Sequence, residues 1–160
     1  MQRDFRVKDK KLRITGTSCR IGIVVAEYNV DVTAKLLDGA RAELRTRGVP
    51  RKNIAVARVS GSFELPLACQ RMAQTGQYNA LVALGCVIKG ETDHYHYIAA
   101  ETARGIMKVM LTHSIPIGFG VLTTDTLEQA QARSSGTQNK GAEAAYAALQ
   151  MLSALDRGEK

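Results

Sequence analysis

The residues best able to do chemistry lie together in LGCVIKGETDHYHYIAAETARG, residues 84–105, where Cys86, Lys89, Thr92, His94 and His96 are nearly consecutive. His94 and His96 have the look of a metal pair. Two positions apart on a helix, however, their imidazoles diverge, and a tetrahedral ion wants further ligands, whereas His113 lies near the far end of the same segment. No metal is therefore expected. A single imidazole at a helix start suits proton transfer better, because the ordinary pKa of histidine is near neutrality, and His94 is better placed for this than His96. Cys86, eight residues before a histidine, raises the question of a cysteine nucleophile. The stretch has no Gly-x-Cys-x-Gly elbow, and cysteine is a common buried strand residue. Gly90 allows the backbone to turn, and a helix beginning near Asp93 or His94 aims unpaired N–H groups and the positive end of its dipole at the turn. That is an anion site to which Thr92 adds a hydroxyl, provided Glu91 and Asp93 point away. A plain N-cap by Thr92 or Asp93 accounts for the same residues.

Two further stretches carry polar groups at element ends. SGSFELP offers Ser62 and Glu64 to a polyhydroxyl or heterocyclic ligand, and equally a helix cap in Ser62; it contains no nucleophile elbow. ARSSGTQNKGAEAA sets Arg133 at the end of one helix and Lys140 at the start of the next, where a cation is unfavourable for the dipole. Lys140 then belongs either to a ligand or to Glu143 on the same helical face.

These residues need a scaffold that brings them together. RIGIVVAEY is an apolar run suited to a strand covered on both faces, and DVTAKLLDGARAELRTRG follows it with helical periodicity up to Gly48. The unit recurs as IAVARVS then FELPLACQRMAQTG, as ALVALGCVI then HYHYIAAETARGIMKVMLT, and as PIGFGVLTT then LEQAQARSS; KGAEAAYAALQMLSAL closes the chain. Four strands alternating with helices predict a parallel sheet between helical layers, with ligands beyond the carboxyl ends of the strands. On that rule Tyr28 and Asn29, Gly61 to Glu64, Lys89 to His94, and Phe119 to Asp125 all fall on one rim.

The chain of 160 residues, 45% hydrophobic and 23% charged, reads as one domain, residues 14–160, behind a basic arm, residues 1–13. That arm has six basic and two acidic side chains and supplies more than half of the net charge of +7. It reads as a solvated tail, and no recognisable nucleic-acid-binding motif accompanies it. Three widely spaced cysteines form neither a metal pattern nor a disulfide framework. Without a membrane-length apolar run or a signal region, the protein is expected to be cytoplasmic and to bind no membrane.

Taken in order, GIVVAEYN, VSGSFELP, ALGCVIKGETDHYHYIAAE, GFGVLTTDTLEQA and NKGAEAAYAALQM resemble the 6,7-dimethyl-8-ribityllumazine synthase family from about residue 20 to 152. The resemblance implies a three-layer αβα sandwich with a four-stranded parallel, flavodoxin-like sheet, whose N-terminal arm pairs with a neighbouring subunit. It implies a transferase of riboflavin biosynthesis, without a cofactor, that condenses 5-amino-6-ribitylaminouracil with 3,4-dihydroxy-2-butanone 4-phosphate. Tyr28 would stack on the pyrimidine, with Asn29, Gly61 and Phe63 in the same pocket. Ser62 and Glu64 would bind the ribityl chain near Lys140, and Glu143 would orient the Lys140 region. Backbone groups at Val87 and Ile88 would hold the heterocycle edge. Gly90, Glu91 and Thr92 would bind the phosphate, with Lys89 beside them and Arg133 neutralising it, and His94 would shuttle protons.

The resemblance further implies cyclic pentamers with sites between subunits, where Phe119, His94 and Arg133 face Tyr28, Ser62 and Lys140 of a neighbour, and riboflavin synthase as a partner. Tyr28, Lys89, Asp93 and His96 depart from the commoner family residues, and RSSGTQNKG is a residue shorter than usual. A non-catalytic lumazine- or flavin-binding protein on the same scaffold is the alternative.

Overall fold

In the computed structural model, Leu12 and residues 18–158 are described. The basic arm expected at residues 1–13 lies outside them except for Leu12. Four parallel strands, β1 (Ile21–Ala26), β2 (Ile54–Val59), β3 (Ala80–Ile88) and β4 (Ile117–Thr124), form one sheet in the order β2-β1-β3-β4. The helices are α1 (Val30–Thr46), α2 (Leu65–Gln74), α3 (His94–His113), α4 (Leu127–Arg133) and α5 (Lys140–Gly158). This is the three-layer α/β sandwich that the alternating pattern predicts. β1 and β3 are almost wholly buried because helices cover both their faces, which is why they read as unbroken apolar runs.

Alternate residues of each central strand enter opposite cores. Ile21, Ile23 and Val25 of β1 join Val82 and Leu84 of β3 and pack with Leu36, Leu44 and Leu149 of α1 and α5. Val24, Ala26, Leu81 and Ala83 face the other way, onto Leu65, Cys69, Ile106 and Val109 of α2 and α3. Leu12 is buried in the first core, and its carbonyl accepts a hydrogen bond from Arg47 Nη1 at 3.2 Å. Arg47 also pairs with Glu43 at 2.9 Å and lies 4.8 Å from the centre of the Tyr146 ring, so its buried charge is partnered.

Helix α5 packs on α1 and β4 with no spare space. A Cβ added at Gly118 would stand 2.0 Å from the Ala144 carbonyl oxygen, and one at Gly141 would stand 2.0 Å from that of Leu36. An exposed helical glycine replaced by alanine gains about 1 kcal/mol of helix propensity. At Gly141 the methyl meets backbone, so Gly141→Ala should instead destabilise the protein by about 1–3 kcal/mol in urea unfolding. An unchanged or raised stability would show that α5 does not press on α1 in this way.

Candidate active site

The chain runs from β1 outward to β2, returns to β3 beside β1, and continues outward to β4. The connections leaving β1 and β3 therefore diverge, and a crevice opens where those two strands end, the usual ligand position in such sheets. The crevice has a volume of about 530 Å³ and is lined by Tyr28 after β1, Gly61 to Glu64 after β2, Cys86 to Ile88 at the end of β3, and Gly90, Thr92, His94, Tyr95 and Ile98 at the start of α3.

Each wall has a local cause. Asn29 adopts the left-handed conformation, φ 61°, a turn asparagine tolerates better than most residues, and its Nδ2 donates to the Cys86 carbonyl at 2.9 Å. This bond ties the turn after β1 to the end of β3 beneath the crevice. Tyr28, 73% exposed, is left standing over it as an open aromatic face. Gly61 is extended and leads into a turn of 3-10 helix, Ser62–Glu64, which continues into α2. Ser62 is 6% exposed, and among the described residues its hydroxyl has no hydrogen-bond partner although it borders the crevice. Ser62 caps neither this turn nor α2.

Helix α3 begins at His94 with Asp93 in the cap position, and no side chain caps it strongly; Thr92 Oγ1 accepts from the His94 N–H at a long 3.4 Å. The positive end of a helix of 20 residues thus opens at the crevice mouth with donors to spare. Lys89 Nζ lies 5.8 Å from the centre of the Tyr95 ring, and His96 stacks on that ring at 4.2 Å. His96 is accordingly a packing partner of Tyr95. Glu91 is exposed at the same turn.

Three sequence expectations need correction. Phe119 stands in the middle of β4, paired with Ala83, and not on the rim; the strand continues to Thr124, roughly 16 Å further on. The glycines flanking Phe119 leave room for α5 and Leu84, which press on them. His94 shares one crevice with Tyr28 and Ser62 of its own chain, so it does not face them across a subunit boundary. Lys140 belongs with Arg133 at the α4–α5 connection, away from the crevice; its Nζ pairs with Glu143 at 2.7 Å, and Arg133 Nη1 donates to the Gln129 carbonyl at 2.9 Å. Tyr95, Ile98 and Asn139 are residues that the sequence reading did not single out. Asn139 is 9% exposed, and its Nδ2 donates to the carbonyls of Lys35 and Ser134, holding the connection between Arg133 and Lys140 against α1.

The cysteines are unsuited to nucleophilic chemistry. Burial pushes the Cys86 thiol up to about 11 and that of Cys69 to about 12, so both are protonated near neutrality. Among the described residues no three His, Cys, Asp or Glu side chains are grouped to hold a metal ion, and no helix is long and apolar enough to cross a membrane.

A doubly wound parallel sheet with an aromatic face, an unpartnered hydroxyl, an imidazole and a helix N-terminus at its switch point defines an α/β enzyme for small polar substrates. The chain belongs to the 6,7-dimethyl-8-ribityllumazine synthase family, whose model matches residues 18–156. It is 48% identical to a protein of that name from Halorhodospira halophila over 135 residues, covering 83% of this chain and 86% of the relative. It is 41% identical to another from Protochlamydia amoebophila over 152 residues, covering 94% and 88%.

The raised thiol values fix a sign. The folded state favours the neutral Cys69 thiol, so its contribution to stability is full below the ordinary value of 9.0 and is lost as pH rises toward about 12. Unfolding free energy measured between pH 9 and 11 should fall more steeply for the wild type than for Cys69→Ala; parallel curves would show that the thiol ionises freely in the fold.

Proposed function

We propose that this chain forms 6,7-dimethyl-8-ribityllumazine from 5-amino-6-ribitylaminouracil and 3,4-dihydroxy-2-butanone 4-phosphate, as a cytoplasmic transferase of riboflavin biosynthesis, and that the crevice between the ends of β1 and β3 is where the two substrates meet. The observation that carries this reading is the convergence on one crevice of Tyr28, the nearly buried Ser62 hydroxyl and the open start of α3 at His94. Each suits one part of the chemistry.

The Tyr28 ring offers a face for the pyrimidine, with Asn29 fixing the turn that presents it. Backbone groups at Val87 and Ile88 border the heterocycle edge, while Ser62 and Glu64, flanked by Gly61 and Phe63, bind ribityl hydroxyls. The phosphate sits against Gly90, Glu91, Thr92 and the N-terminus of α3, with the Lys89 cation nearby. Holding amine and ketone in register is the main source of rate, since effective molarity alone supplies several kcal/mol. His94 moves protons as the amine adds, phosphate leaves and water is lost, adding roughly two to three orders of magnitude.

Among the described residues no arginine lines the crevice, Arg133 included. In a cyclic pentamer the crevice of one protomer is completed by Phe119, Arg133 and Lys140 of the next, with Glu143 steadying Lys140 through their ion pair. Phe119, 49% exposed on β4, then walls the site. The product passes to riboflavin synthase.

Purified protein mixed with both substrates should form lumazine, read by absorbance, well above the uncatalysed rate, and native mass spectrometry should show pentamers or their multiples. A folded protein at background rate, or an active monomer, would overturn the corresponding part. Arg133→Ala should weaken butanone phosphate binding about tenfold or more, the loss of one charge-assisted pair, with pyrimidine affinity little changed. His94→Ala should lower turnover and leave both affinities nearly intact. Equal weakening of both substrates in Arg133→Ala would remove its assignment to the phosphate.

A further inference from the structure

Thr102 lies on the inner face of α3, eight positions beyond His94, and has no solvent exposure. Its Oγ1 donates to the Ser62 carbonyl at 3.1 Å. Around that bond the segment from Ser62 to Pro66 is gripped from two sides. A Cβ at Gly85 of β3 would come within 2.5 Å of Ser62 Oγ, and a Cβ at Gly105, one helical turn beyond Thr102, would come within 2.7 Å of Pro66. The two glycine contacts limit how near the turn can approach. Only the Thr102 bond is directional, and it joins the turn carrying Ser62 and Glu64 to the helix carrying His94.

We infer that Thr102 is a positioning residue for the pyrimidine half of the crevice, setting where the Ser62 hydroxyl and Glu64 stand relative to His94; this rests on the function proposed above. The buried Leu65 side chain and the Tyr28 N–H to Ser60 carbonyl bond at 2.9 Å anchor the two ends of the turn to the core and to β1, and the Thr102 bond ties its middle to α3. The turn's own Glu64 N–H to Gly61 carbonyl bond is long, at 3.3 Å. The Ser62 carbonyl also accepts from the Leu65 N–H, so losing the threonine hydroxyl leaves it with a partner. Removing the hydroxyl therefore unhooks the turn from α3 without leaving a bare buried carbonyl. The consequence falls on geometry more than on folding. The phosphate end of the crevice, built from the start of α3 itself, is not held by this bond.

The test compares wild type, Thr102→Val and Thr102→Ser as full-length assembled protein. Thr102→Val keeps the shape of threonine and lacks the donor. It should raise KM for the pyrimidine about fivefold, the factor one neutral hydrogen bond corresponds to, while KM for butanone phosphate stays nearly constant. Thr102→Ser restores the donor and should return the ratio of the two constants toward the wild-type value. A residue with a merely structural role would lower the melting temperature and leave that ratio alone. Calorimetric titration with the lumazine product supplies a readout free of turnover and should weaken in the same proportion. Should Thr102→Val not fold, Thr102→Ala, which admits water to the space, is read against Thr102→Ser by the same ratio. A folded valine or alanine variant with both constants unchanged, or with both substrates weakened alike, overturns the assignment. A wild-type chain that neither forms nor binds the lumazine overturns the proposed function and this assignment with it, and is told apart because the wild type itself fails.

Discussion

The rim depends on β1 and β3 lying side by side as parallel neighbours. Strands that run the same way end at the same edge, and because the chain leaves β1 toward β2 on one side and β3 toward β4 on the other, their outgoing segments separate. The separation is a topological necessity and needs no particular side chain. Particular side chains are needed to keep its walls in place, and they are few: Asn29 from the β1 turn to the Cys86 carbonyl, Thr102 from α3 to the Ser62 carbonyl, and Asn139 from the α5 start to the Lys35 and Ser134 carbonyls. Each is a polar side chain satisfying a main-chain carbonyl on another element, so each fixes an orientation where apolar packing alone would fix only a distance.

The core does the complementary work. Glycine at 85, 105, 118 and 141 lets turn, helix and sheet approach until backbone or side-chain atoms touch. Burial that tight explains the protonated thiols of Cys69 and Cys86, which lie in surroundings where a thiolate would be poorly solvated. It also explains why a cysteine at the floor of the crevice is a packing residue.

Much of this was legible in the sequence, for reasons that can be located. Strands covered on both faces read as apolar runs, and helices between them keep a period of their own, so the βα repeats and the parallel sheet followed directly. The rim residues Tyr28, Ser62 and His94 were legible because they directly follow strands or open a helix. Phe119 was misplaced because the rim was taken to begin within the strand PIGFGVLTT, whereas β4 keeps its pairing with β3 through to Thr124 and only its far end reaches the edge. The grouping of His94 with Tyr28, and of Lys140 with Arg133, depends on how far each element extends past the sheet, which no local pattern encodes. Thr102 was invisible for a different reason: its partner is a carbonyl 40 residues away, and a threonine inside a helix carries no mark of it.

The openness of the Tyr28 ring has an optical side. The chain has five tyrosines and no tryptophan, and two of the five, Tyr28 and Tyr95, line the crevice. With no indole to drain their excitation, the tyrosines themselves set the near-ultraviolet emission, and Tyr28 is the one most open to a stacked heterocycle. Filling the crevice with an absorbing ring therefore quenches a large share of the whole protein's intrinsic light, so that the molecule carries its own unmodified reporter of occupancy.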